Sequence, residues 1–235
     1  MNSQPCNLPA LSEHELRPRQ FWPTTIFTRK YRDHATDAPK IIAHLFELKA
    51  AEVEPIASGV APAMKSAHGL FESKLDIFER TEHPGLRRLV AFIESSVRQA
   101  VFQVNGRSVE PKRIRVEFKD SWFHITNSGG FHDAHTHGGC SWCGIYYLQV
   151  SNVPAQQPKY APNGVNRFYA PVNTGGSFDD FGNLHLKNNI LDVPPIEGTL
   201  VLFPAYLMHS GLAYQGARDR VILSFNSAAW LTPID

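Results

Sequence analysis

The second half of the chain, from Ile114 onward, reads as a succession of β-strands. Its apolar runs are rich in β-branched and aromatic residues and are separated by turn-forming clusters. Five runs have this character: "IRVEFKDSWFHIT", "CGIYYLQV", "NRFYAPV", "GTLVLFP" and "RVILSFNSAAW". This pattern predicts an all-β C-terminal half.

The first half of the chain shows helical periodicity instead. "TDAPKIIAHLFELKAAE" places apolar residues at helical spacing behind an N-cap at Thr36 or Asp37, with Pro39 near the first turn. A second helix is predicted over "HPGLRRLVAFIESSVRQAVFQV" and stops at "NG", whereas "FWPTTIFTRKY" predicts an outer strand. We expect one domain, with a supporting region at residues 1–110 and a β core at residues 111–235.

Composition excludes several classes of partner. Lys and Arg number 23 and Asp and Glu number 22, so no large basic field favours binding to nucleic acid or anionic lipid. No apolar run approaches the roughly 18 residues of a membrane span, and the first residues lack the pattern of a signal peptide. Three cysteines, with Cys6 far from Cys140 and Cys143, do not form a secreted disulfide framework. We therefore expect a cytoplasmic protein that binds neither nucleic acid nor membrane.

Candidate metal ligands are concentrated in "GGFHDAHTHGGCSWCGIYYL" at residues 129–148. Residues two apart on a strand share a face, so His135 and His137 are predicted to present paired imidazoles. A neighbouring strand would supply His209, which follows the apolar run "GTLVLFP". Neutral imidazole suits iron, zinc, copper and nickel, and three protein ligands with open positions are typical of a catalytic metal site.

Two alternatives to this ligand set stay open. The first is that these histidines belong to surface loops and bind no metal. The second is that Asp133 replaces His137, because Asp133 also lies two residues from His135 and His132 stands beside it. We expect the metal ligands to be His135, His137 and His209.

The last strand-like run begins with a candidate anion-binding arginine. Arg220 is predicted to project inward, where its planar guanidinium would suit a bidentate carboxylate. The alternative is a rim arginine paired with Asp219 or Asp180. Tyr147, on the inward face of "GIYYL", would also need a hydrogen-bond partner for its hydroxyl group.

The "CSWC" pair leads into a strand rather than a helix, which disfavours a thioredoxin-type redox site, and no second pair completes a zinc site. Cys143 shares its parity with Ile145 and Tyr147. We predict that it is a small side chain lining the barrel.

The order of these motifs, from "HTH" through "GIYYL" and "GTLVLFPAYLMH" to "RVILSFN", resembles that of the Fe(II)- and 2-oxoglutarate-dependent oxygenases. The likeness is strongest to bacterial members with an H-x-H motif before an "SGxYYL"-like strand, and it spans residues 122–226. It implies a mainly β protein with N-terminal helices and a double-stranded β-helix, the cupin-like jelly roll. It also implies hydroxylation of a small molecule or peptide by O₂, with decarboxylation of 2-oxoglutarate to succinate.

Carried over to this sequence, the resemblance implies that His135, His209 and the residue two after His135 bind Fe(II). It implies that Arg220 binds the distal carboxylate of 2-oxoglutarate, with Tyr147 and Ser224 as further contacts. Most members have Asp or Glu where this chain has His137. Two rival functions therefore stay open: a three-histidine cupin-type dioxygenase or hydrolase that does not use 2-oxoglutarate, and a non-catalytic metal-binding barrel.

Overall fold

The fold is described from a computed structural model, over residues 24–53, 69–80, 82–106, 110–151, 162–172 and 189–232. The helices in these ranges are α1 (His34–Val53) and α2 (Pro84–Val104). The strands are β1 (Phe27–Lys30), β2 (Leu70–Glu72), β3 (Ile114–Thr126), β4 (Gly130–His135), β5 (Trp142–Gln149), β6 (Asn166–Tyr169), β7 (Ile190–Val193), β8 (Thr199–Pro204), β9 (His209–Tyr214) and β10 (Arg220–Leu231).

The strands form two antiparallel sheets. The larger sheet has the order β1-β8-β5-β10-β3-β2 and the smaller sheet has the order β4-β9-β6-β7. The eight strands from β3 to β10 are divided equally between the two sheets, which is the arrangement of a jelly roll. The double-stranded β-helix implied by the sequence resemblance is confirmed.

The first half of the chain completes the larger sheet. β1 pairs with β8 at one edge, in agreement with the outer strand predicted there, and β2 pairs with β3 at the other edge. Added strands cover backbone groups that would otherwise be exposed at the edges of a jelly-roll sheet. The β2 pairing also brings Glu72 directly opposite His124.

The two helices pack against the face of the larger sheet that points away from the smaller one. Both helices share a buried apolar cluster with β3, β5, β8 and β10. The prediction for α2 is confirmed: Pro84 is its first residue, and Gly106 follows the C-cap Asn105 with a φ of +66°. Neither helix has the combination of length and hydropathy that crossing a membrane requires.

The N-cap predicted for α1 is wrong. The helix begins at His34, so Asp37 lies in its first turn and Thr36 precedes it there. Asp37 is buried, and its carboxylate accepts hydrogen bonds from the Tyr31 hydroxyl at 2.8 Å and from Nε of Arg88 at 3.1 Å. The carboxylate therefore joins α1 to α2 instead of capping a helix end.

β5 is buried on both faces, which explains its almost continuous apolar sequence. Tyr146 and Leu148 point toward the helices, whereas Cys143, Ile145 and Tyr147 belong to a second cluster between the sheets. The predicted inward orientation of Cys143 is confirmed. One face of β5 thus packs in the apolar cluster beneath the helices, and its other face lines the space between the sheets.

Candidate metal centre

Three imidazoles meet at one end of the cavity between the sheets. The ring centroids are 4.3 Å apart for His135 and His209, 4.9 Å for His135 and His137, and 5.2 Å for His137 and His209. One ligand atom from each lies within 4.8 Å of the others. The structure thus brings together the three residues predicted as ligands.

The local structure around these histidines differs from the expected one. β4 ends at His135, so His137 lies beyond the strand, where its backbone N–H donates to the carbonyl of Ala205 at 3.0 Å. His209 is the first residue of β9 rather than a residue at the end of β8, and it pairs directly with His135. The paired imidazoles therefore come from the end of one strand and from the loop that follows it.

An irregularity in β4 determines which of its side chains reach the cavity. His132 pairs with Gly211 and His135 with His209, so two residues of β4 stand opposite one of β9. Such a bulge redirects side chains, and it turns both His132 and His135 toward the cavity although they are three residues apart. The predicted common face of Asp133 and His135 is wrong, because Asp133 is exposed at the bulge and its carboxylate is outside the donor group.

Backbone carbonyls set the tautomers of two of the three histidines. Nδ1 of His135 lies 2.7 Å from the carbonyl oxygen of Asp133, and Nδ1 of His209 lies 3.0 Å from that of Leu207. A carbonyl oxygen can only accept, so each Nδ1 carries the proton. The lone pair of each Nε2 is then available to a metal ion.

Burial keeps the histidine group neutral. Burial, with smaller contributions from the neighbouring imidazoles, lowers the pKa of His137 to about 4 and that of His209 to about 3. The pKa of His135 is also lowered, mainly by burial. Near neutral pH all three side chains are in the uncharged form that binds metal ions.

Arg220 lies in the wall of the same cavity, with only 4% of its surface exposed. Its Nη2 donates to Oδ1 of Asn166 at 2.6 Å, whereas no residue in the described part of the chain accepts a hydrogen bond from its Nε. Burial lowers the pKa of the guanidinium. Asp219 accepts instead from Asn127, and Asp180 is outside the described residues. Arg220 is therefore an inward-facing arginine and not a rim arginine paired with Asp219.

Tyr147 and Ser224 have different positions relative to the cavity. Ser224 lines it, as does Asn166. Tyr147 is fully buried and donates its hydroxyl to Oδ1 of Asn166 at 2.7 Å, and burial raises its pKa to about 12. Asn166 thus accepts hydrogen bonds from both Tyr147 and Arg220, and the Tyr147 hydroxyl group also contacts the guanidinium directly. Sequence reasoning missed Asn166, whose only signal is a polar residue at the start of the run "NRFY".

The two cysteines of "CSWC" show no sign of an activated thiol. Their Sγ atoms are 3.8 Å apart, and the Cys143 thiol donates to Oδ1 of Asn226 at 3.2 Å. Burial raises the pKa of both thiols, so neither is a ready nucleophile near neutral pH. Cys143 lines the cavity and Cys140 packs against the same buried cluster, which agrees with a packing role.

Comparison with protein families gives a match over the cavity-forming part of the chain. The family described as "Putative 2OG-Fe(II) oxygenase" matches residues 120–226, which run from within β3 to within β10. This range includes His135, His137, His209 and Arg220. No curated protein matches the chain.

Solved structures with the same fold come from several oxygenases. A prolyl-4-hydroxylase from Pseudomonas putida is 17% identical, with a TM-score of 0.52, and the match covers 86% of this chain and 91% of that one. A Trichoplax adhaerens prolyl hydroxylase, solved with a peptide fragment of hypoxia inducible factor, is 13% identical over 86% and 82% of the two chains, with a TM-score of 0.52. The carbocyclase SnoK from nogalamycin biosynthesis is 13% identical over 89% and 83%, with a TM-score of 0.56. At these identities the likeness establishes the fold.

Proposed function

The chain belongs to the 2OG-Fe(II) oxygenases through residues 120–226, and we propose that its iron is held by His135, His137 and His209 and its 2-oxoglutarate by Arg220. Membership makes the protein an oxidoreductase that uses Fe(II), 2-oxoglutarate and O₂. The residue assignments are the proposed part.

The unpartnered Nε of Arg220 is the observation that carries the proposal. A buried cation is costly unless an anion or a full set of hydrogen bonds compensates it. Within the described residues, the guanidinium of Arg220 contacts the amide oxygen of Asn166 and the hydroxyl group of Tyr147, its Nε has no acceptor, and no carboxylate pairs with it. The distal carboxylate of 2-oxoglutarate would accept a hydrogen bond from Nε and would compensate the positive charge of the guanidinium. A three-histidine enzyme without 2-oxoglutarate would have no use for this arginine.

The cavity also suits the chemistry that iron and 2-oxoglutarate supply when bound, which is oxidation of a substrate C–H bond by O₂ with release of succinate and CO₂. Imidazole nitrogens of the uncharged histidines face the place where the ion would be held. Phe203 packs against His209 with ring centroids 4.5 Å apart, and Ile222 lines the same wall. This apolar surround excludes water from the site, while Asn166 and Tyr147 fix the position of the Arg220 guanidinium.

The third ligand distinguishes this chain from most of its family. Three neutral imidazoles leave iron with one more positive charge than two imidazoles and a carboxylate. We propose His137 because it, and not Asp133, lies with the other two donors. His137→Ala should lose bound iron in elemental analysis, whereas Asp133→Ala should retain it. Retention by His137→Ala together with loss by Asp133→Ala would reverse the assignment.

Steady-state kinetics test the role of Arg220. Succinate formation should require both iron and 2-oxoglutarate, and Arg220→Ala should raise the KM for 2-oxoglutarate by about 30-fold or more, since truncation leaves a buried carboxylate unpaired. Arg220→Lys should rescue part of this loss, because an ammonium keeps the charge without the planar fork. Arg218→Ala is the matched control, because Arg218 is half exposed and contacts Glu197 and the carbonyl of Val150. An unchanged KM in Arg220→Ala would contradict the assignment.

The substrate class and the cellular location belong to the same proposal. We propose a small-molecule or peptide substrate, to be identified by screening for substrate-dependent succinate release. We propose the cytoplasm as the location, supported by Cys140 and Cys143 being free thiols, which fits a reducing compartment. Recovery of the native protein in another fraction of lysed cells would rule that location out.

A further inference from the structure

A second group of potential ligands adjoins the three-histidine centre. Glu72 on β2 and His124 on β3 are direct cross-strand partners, and His132 on β4 completes the group from the smaller sheet. One donor atom from each lies within 4.8 Å of the others. His132 and His135 connect the two groups, with ring centroids 4.3 Å apart.

The distances within this group are close to those of a coordination sphere. Oε2 of Glu72 lies 2.9 Å from Nε2 of His124 and 3.9 Å from Nε2 of His132. The two imidazoles stack, with ring centroids 5.7 Å apart. Donors that share one ion at bond lengths of about 2.1 Å are separated by roughly 3–3.5 Å. A small rotation of the half-exposed His132 side chain is enough to reach that geometry.

The hydrogen bonding of His124 also favours a cation at this position. The indole N–H of Trp122 donates to Nε2 of His124 at 2.9 Å, which requires a lone pair on that nitrogen. Oε2 of Glu72 faces the same nitrogen at 2.9 Å, which requires a proton on it. Neither tautomer of His124 satisfies both neighbours. A cation between the carboxylate and the two imidazoles resolves the conflict between Glu72 and His124.

We propose that Glu72, His124 and His132 form a second metal site, which binds a divalent transition-metal ion such as zinc. Its donor set is two histidines and one carboxylate, the composition that the three-histidine centre lacks. Burial lowers the pKa of His124, so that its ring is neutral and able to bind the ion near neutral pH. His124 and His132 line the same cavity as the first centre, so an ion can enter by the same route.

The second ion would connect parts of the chain that are far apart in sequence. It would join edge strand β2 to β3 and β4, and thus the first half of the chain to both sheets. The indole N–H of Trp122 would lose its acceptor when the ion takes the lone pair of His124. Trp122 is buried at the cavity wall, so its fluorescence should report on this site.

Zinc stoichiometry tests the proposal independently of catalysis. After removal of metals, equilibrium dialysis against zinc and elemental analysis should find two ions per chain in the wild-type protein. Glu72→Gln and His132→Asn should each bind one, and so should His209→Asn through loss of the other centre. His44→Asn, a change on α1 away from both groups, should still bind two. One ion in the wild-type protein, or two in both Glu72→Gln and His132→Asn, would overturn the proposal.

Fluorescence provides a second measurement if a variant is poorly folded. Titration of the metal-free wild-type protein with zinc should change the tryptophan emission in step with the second ion. Trp122→Phe should abolish this change, and it should tighten binding of one ion because the competing indole donor is gone. Weaker binding of that ion in Trp122→Phe, or an emission change that persists without Trp122, would contradict the proposed site.

Discussion

Asn166 is the residue on which the anion-binding side of the cavity depends. Its Oδ1 accepts from Arg220 at 2.6 Å and from the Tyr147 hydroxyl at 2.7 Å, so one neutral oxygen serves two buried donors. A neutral partner holds the guanidinium in place without cancelling its charge. The positive charge of Arg220 therefore stays available to an anionic ligand.

Asn166→Asp tests this balance of charge. The new carboxylate would pair with Arg220 and compete with the carboxylate of 2-oxoglutarate, so the Kd for 2-oxoglutarate should rise by about tenfold or more. Isothermal titration of the metal-loaded protein measures the Kd. Tyr147→Phe is the control, because it removes the other donor to Asn166 and leaves the charge unchanged, and it should change the Kd only a few-fold. Tighter binding by Asn166→Asp would show that Arg220 does not bind the anion.

The sequence predicted the site residues whose type and spacing are unusual, and it gave no signal for site residues that resemble ordinary polar residues. Histidines at H-x-H spacing and an arginine opening an apolar strand stand out against their surroundings. Asn166 and Glu72 do not, because single polar residues at strand ends occur throughout the chain. The bulge in β4 could not be foreseen either, since it follows from pairing with β9. That pairing decides that His132 faces the cavity and Asp133 faces solvent.

Among the elements, β5 shows how closely the core is packed. Gly144 lies between the two larger side chains Phe225 and Leu202, and a Cβ at this position would be 2.6 Å from Cε1 of Phe225 and 2.9 Å from Cδ2 of Leu202. The Phe225 ring cannot easily move away, because it packs against Phe78 and Phe118 at centroid distances of 5.5 and 5.4 Å. The strand therefore requires glycine here.

Gly144→Ala should destabilise the protein by about 1–3 kcal/mol through overpacking. Urea denaturation measures the free energy of unfolding. Gly138→Ala is the matched control, because a Cβ there would meet no atom within 4 Å. If the two variants were equally stable, the packing of β5 against β8 and β10 would be looser than the structure indicates.

Elements rich in apolar residues could be predicted from the sequence, whereas short or more polar elements could not. The five runs of the second half became β3, β5, β6, β8 and β10, and both helices formed where periodicity placed them. β2, β7 and β9 are short or carry polar residues, so no periodic pattern marks them. They form because a neighbouring strand offers an edge, which is a tertiary effect.

For the molecule as a whole, buried histidines link stability to pH. Burial is the main cause that lowers the pKa of a set of histidines below 6.5 in the folded state: His34, His83, His124, His135, His137 and His209. Below pH 6.5 the unfolded chain binds more protons than the folded chain. Folding stability therefore rises with pH in this window and is lost as the pH falls toward about 3.

The free energy of unfolding of the metal-free protein should accordingly decrease between pH 7 and pH 5. Urea denaturation at several pH values measures this slope, and His209→Gln should show a shallower one because it removes a buried histidine with a pKa of about 3. A stability that stayed constant from pH 7 to pH 5 would mean that the histidines are protonated as easily in the folded chain as in the unfolded chain.

We propose that one cavity binds iron and 2-oxoglutarate together, with Arg220 holding the far end of the cosubstrate. Anaerobic titration of the Fe(II)-loaded protein with 2-oxoglutarate tests it most directly, through the weak visible charge-transfer band of the Fe(II)–2-oxoglutarate chelate. We predict a band that saturates near one equivalent in the wild-type protein and that requires about 30-fold or more 2-oxoglutarate in Arg220→Ala. Absence of the band in the iron-loaded wild-type protein would show that 2-oxoglutarate does not chelate the iron, and the same titration curve for both proteins would show that Arg220 does not bind the cosubstrate.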